Sequence, residues 1–88
     1  MNRIQAILTL DMDNIPSNFQ EILIEEKKVV EQWKLKGILE HLYLRGSKNG
    51  AVLIFKNVNE DEAKSLMTEL PLYQLRKSVE YLNLIQQF

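Results

Sequence analysis

The chain has no cysteine. That excludes a disulfide scaffold, a thiol nucleophile and a thiolate zinc site. A single histidine among scattered carboxylates makes no metal motif, so no metal is expected. Neither sign of charge dominates: 11 basic side chains stand against 12 acidic ones, a net charge of −1. The basic field that draws nucleic acid is therefore missing. No apolar run approaches the length of a membrane span, and no glycine-rich phosphate loop or nucleophile elbow is present. Met1-Asn2-Arg3 leads straight into an alternating pattern, without the apolar core of a signal peptide, so a cytoplasmic location is expected.

What is there suits a small globular domain. Of the 88 residues, 45% are hydrophobic, enough for a core and for one domain spanning residues 1–88. A chain this short buries only roughly 60–65% of its unfolded surface. Association with a second copy is the usual remedy when neither disulfide nor metal contributes.

With three glycines and two prolines, chain breakers are few and informative. Residues 3–10 alternate with Ile4, Ala6, Leu8 and Leu10 on one face, which predicts a strand. The turn formers of residues 11–17 follow, and a helix of about 20 residues fits before Gly37. Residues 38–45 predict a second strand, 46–50 a polar turn, and 51–56 a nearly all-apolar, central strand. Asn59 with Glu62 makes a capping box for a second helix, whose buried stripe is Ala63, Leu66, Met67 and Leu70 and which Pro71 stops. Residues 78–85 alternate again. The order is α+β, a ferredoxin-like βαββαβ with a four-stranded antiparallel sheet. Simple alternation puts Leu39, His41, Tyr43 and Arg45 on one face of the second strand, and Ile38, Glu40, Leu42 and Leu44 on the other. Both faces are partly apolar, and a second sheet packed on the open side would cover them.

The first helix carries an anomaly. Phe19, Ile22, Leu23, Val29, Val30 and Trp33 fall within about 60° of one direction on a helical wheel, and Glu26 sits at the centre of that arc. A carboxylate aimed at a core needs partners, and burial pushes its pKa toward the range useful for a general base. A helix lifted to let Glu26 reach water, or a structural ion pair, accounts for it equally well. His41 is the other candidate for proton transfer, against the plainer reading of a hydrogen-bonded strand histidine. Ile24 and Leu35 lie opposite the stripe and point to a further oligomer contact.

Glu25-Glu26-Lys27, Gly37, His41-Leu42-Tyr43 and Glu69-Leu70-Pro71-Leu72-Tyr73, in this order and spacing, resemble the muconolactone delta-isomerase family. The resemblance implies a ferredoxin-like domain that pairs through its sheets as a dimeric α+β barrel and assembles further. It implies a cofactor-free proton shift between two carbons of a small lactone acid. On that basis Glu26 and His41 are the expected catalytic pair, with Lys27, Trp33, Tyr43 and Arg45 as substrate-binding residues. Arg45 is chosen for its charge, as a holder of the substrate carboxylate. The chain departs from the family at Glu40, where a basic residue is usual, and at Ser47-Lys48-Asn49, where a His-Tyr pair stands. Two other roles stay open: a small-ligand binding module without catalysis, and an interaction protein on the same fold.

Overall fold

The computed structural model describes residues 2–88. Strand β1 (Asn2–Leu10) leads through a short 3-10 turn to helix α1 (Phe19–Leu35). Strands β2 (Leu39–Leu44) and β3 (Gly50–Phe55) form a hairpin. Helix α2 (Glu60–Met67), a 3-10 turn (Pro71–Leu75) and strand β4 (Arg76–Ile85) complete the order. The sheet runs β2-β3-β1-β4 with every neighbouring pair antiparallel, so the fold is ferredoxin-like as expected.

Local chemistry explains the boundaries. Gly37 takes a positive φ of 74°, and the Gly37 and Ile38 amides donate to the Lys34 and Trp33 carbonyls, ending α1 in a Schellman motif. The expected capping box opens α2: Asn59 accepts from the Glu62 amide at 2.8 Å, and Glu62 accepts from the Asn59 amide at 3.1 Å. Helix α2 ends at Met67, earlier than the expected stop at Pro71, so Leu70 is buried outside the helix. Pro71 instead starts the 3-10 turn, and β4 follows from Arg76, two residues earlier than the alternation suggests.

The core lies between the helices and one face of the sheet. Ile4, Ala6, Leu8 and Leu10 of β1 and Ala51, Leu53 and Phe55 of β3 point into it. Trp33 closes it from α1, its ring 5.5 Å from that of Phe55. The opposite face carries Ile7, Val52, Ile54 and Leu84, all partly exposed, with Leu82 and Tyr43 more so. Ile24 and Leu35 are exposed on the outer side of α1.

One expectation is overturned. The β2–β3 register places Leu39 opposite Phe55 but His41 opposite Ile54, with a shift between them. Glu40 and His41 thus share one partner position as a β-bulge, and the bulge inverts the faces. Leu39 faces the core, whereas His41 and Tyr43 lie on the open face and Leu42 and Leu44 turn to the helical side. Glu40 reaches across the open face to Arg3, which donates to its two oxygens at 2.8 and 3.0 Å. That contact accounts for the extra residue.

Candidate functional site

Helix α1 presents Glu26 to the turn that follows α2. Its carboxylate is half-buried and accepts the Leu72 backbone N–H at 3.0 Å. Burial pushes the Glu26 carboxyl above the usual carboxylate range, and the Leu72 amide counters only part of this. The centre-of-stripe position is therefore neither an ion pair nor a fully solvated charge. The 3-10 turn begun by Pro71 aims an N–H at it that no strand or helix consumes.

Leu72 also borders a cavity of about 310 Å³ between α1 and the sheet. Leu10 of β1, Phe19 and Leu23 of α1, Leu44 of β2 and Ala51 of β3 make its apolar walls. Its mouth opens at the β2–β3 hairpin, where Leu44 is 82% exposed although it faces the helical side. Lys48, the one charged residue in the lining, lies in that hairpin. Pockets for small molecules have this character, apolar walls with few polar groups, and this one falls at the small end of their range of roughly 300–1,000 Å³. Of these lining residues the sequence singles out only Leu72 and Lys48, both through the family resemblance, Lys48 as part of a departure from it. Leu10, Phe19 and Leu23 read from the sequence as core positions, and simple alternation puts Leu44 on the face of Glu40.

The other expected site residues are placed elsewhere. His41 and Tyr43 stand together on the open sheet face, ring centroids 5.9 Å apart. Arg45 is engaged on that side as well, its guanidinium donating to Thr9 Oγ1 at 2.6 Å. Arg3 holds the neighbouring Glu40 carboxyl below its ordinary range. Glu26 and His41 are thus separated by the sheet within one chain. Trp33 is a buried core residue, and Lys27 is exposed on α1 and absent from the cavity wall. Among the described residues, no group of three His, Cys, Asp or Glu side chains is placed to hold a metal ion, and no helix is long and apolar enough to cross a membrane.

No family model matches the chain, and no curated protein matches it by sequence. Its fold is similar to that of muconolactone isomerase, with a TM-score of 0.70 and 18% identity over 98% of this chain and 88% of that one. An antibiotic biosynthesis monooxygenase superposes with a TM-score of 0.67 and 11% identity, covering 98% of both chains. A 5-chloro-2-hydroxyhydroquinone dehydrochlorinase from Burkholderia phenoliruptrix AC1100, in complex with 2,5-dihydroxybenzoquinone, gives 0.61 and 14%, over 91% of this chain and 90% of that one. At these identities the likeness is one of fold.

Proposed function

We propose that this chain is a cofactor-free, muconolactone isomerase-like enzyme that shifts a proton within a small lactone or enolisable carboxylic acid. The observation that carries the reading is Glu26: a half-buried carboxyl with a raised pKa, tied to a residue that borders an apolar, ligand-sized cavity. Such a carboxyl takes up a proton more readily than an exposed one and returns it to a neighbouring carbon. The structural neighbours named as an isomerase, a monooxygenase and a dehydrochlorinase support a small-molecule role on this fold without choosing among chemistries.

Because His41 lies across the sheet, Glu26 both removes and returns the proton in this scheme, on one face of the substrate. His41, Tyr43 and Arg45 belong instead to the open face, which we assign to a second copy that completes a dimeric α+β barrel. Lys27 and Trp33 then act through α1, one on its surface and the other in its packing.

The test is ultraviolet-monitored isomerisation of muconolactone by the parent and by Glu26→Gln, with folding checked by circular dichroism. Turnover that is lost in a folded variant supports the reading. Equal rates in the two proteins rule out Glu26 as the base, and an inactive parent rules out this substrate. Binding without turnover is the second reading. It is favoured by one observation: the Glu26 carboxylate meets the cavity through Leu72 and is not itself in the wall. A lactone or aromatic acid that raises the melting point without being converted would support it.

A further inference from the structure

Lys48 is an unusual residue for its position. Its φ of 61° lies in the left-handed region, where glycine or asparagine is the unstrained choice. Its amide closes the hairpin turn onto the Arg45 carbonyl at 2.8 Å, so the backbone there is fixed by the turn and gains nothing from a lysine side chain. Among the described residues Lys48 takes part in no ion pair. It nevertheless supplies the single charge in the wall of the cavity bordered by Leu72.

We infer that Lys48 sets the ligand class of this cavity: a small monocarboxylate whose apolar body lies along Phe19, Leu23 and Ala51 and whose anionic group stays at the mouth, beside the ammonium. The inference rests on the reading of the cavity as a ligand site and adds a specificity determinant to it. A mouth with one flexible point charge suits one carboxylate, because a phosphate dianion ordinarily draws several donors. The apolar walls exclude a second charge deeper in the cavity, because no cation lines it there to offset the cost of desolvating an anion. Arg45, the residue that charge alone had suggested for this task, is held on the other side of the sheet by Thr9.

The experiment titrates phenylacetate and phenylacetamide, equal in ring and reach but differing in charge, into the parent, Lys48→Met and Lys48→Gly. Amide chemical shifts of Leu10, Ala51 and Leu72 locate the binding. The parent is expected to prefer the acid by about fivefold at low salt, the scale of one exposed charge pair, with the preference shrinking as salt rises. Both variants should bind the two compounds alike, at the parent's affinity for the amide. Lys48→Gly suits the left-handed turn, so it guards against a variant that merely misfolds. Equal affinity for acid and amide in the parent, or a preference that survives in both variants, overturns the inference while leaving the cavity a ligand site. No shift at the three amides with either compound overturns the cavity reading and the inference together.

Discussion

Replacing Glu26 by glutamine and by alanine separates its two physical roles. The carboxylate accepts the Leu72 N–H at 3.0 Å, and it does so as a half-buried group whose charged form is disfavoured. Glutamine keeps a carbonyl oxygen for that N–H and has no charge to desolvate; alanine keeps neither. Leu72 is buried, so its stranded N–H in Glu26→Ala should cost about 1–2 kcal/mol relative to Glu26→Gln. In a domain of this size that is a melting-point difference of ~5–15 °C. The pH dependence has a definite sign. A carboxyl whose folded pKa is raised stabilises the fold below its unfolded pKa, and that contribution is lost as pH rises through the folded value. Glu26→Gln should therefore melt above the parent at neutral pH, with the gap closing as pH falls toward the ordinary glutamate value of about 4.3. Circular-dichroism melts across this range make the measurement. Coincident melting of the alanine and glutamine variants would refute the Leu72 contact. A glutamine variant that melts below the parent at neutral pH would refute burial as the dominant influence on the carboxyl.

Two further outcomes test the rest of the frame. If a second copy covers the open sheet face, the parent sediments at micromolar concentration as twice its 10.3 kDa, and Ile54→Lys, which charges the middle of that face, sediments as a folded monomer. A monomeric parent, or a variant that stays dimeric, removes that face as the interface. Gly50→Ala would drive a methyl into the Leu8 carbonyl, where β3 passes β1. The melting point should fall by at least about 5 °C, the consequence of roughly 1–3 kcal/mol of overpacking, and an unchanged melt would mean that the β1–β3 register differs.

Most of the element order could be read from periodicity because each break in it coincided with a residue of known backbone preference. Gly37 supplies the left-handed C-cap of α1, Asn59 and Glu62 close the capping box of α2, and Pro71 can begin a turn but not continue a helix. Glu26 was legible for a related reason: a helical stripe has a centre, and a charge there is visible without knowing what lies opposite. Its partner was not legible. The Leu72 N–H comes from a turn 46 residues further along the chain, and which carboxylate it meets depends on how that turn seats against α1. The cavity is hidden for the same reason, since its walls come from β1, α1, β2, β3 and the 3-10 turn, and no local pattern says that they meet.

The inverted faces of β2 show how one residue redirects a functional argument. Alternation is a local rule, and it holds only while two strands advance residue for residue. The pair Arg3–Glu40 joins positions 37 apart in sequence, across the intervening strand β3, and no local pattern announces it. With Glu40 drawn out to Arg3, every later side chain of β2 changes sides. His41 and Tyr43 move together to the open face, across the sheet from Glu26, while Leu44 turns to the helical side at the mouth of the cavity. A two-group acid–base scheme within one chain is lost by that step. In the proposed reading, proton chemistry is then assigned under the helices, where Glu26 is partly desolvated, and association to the open side, where the apolar groups are partly exposed. Glu40, where the family that the sequence resembles usually has a basic residue, pairs with Arg3 on the open face and so bears on that face, whereas the carboxylate of the proposed reaction lies on the other side of the sheet.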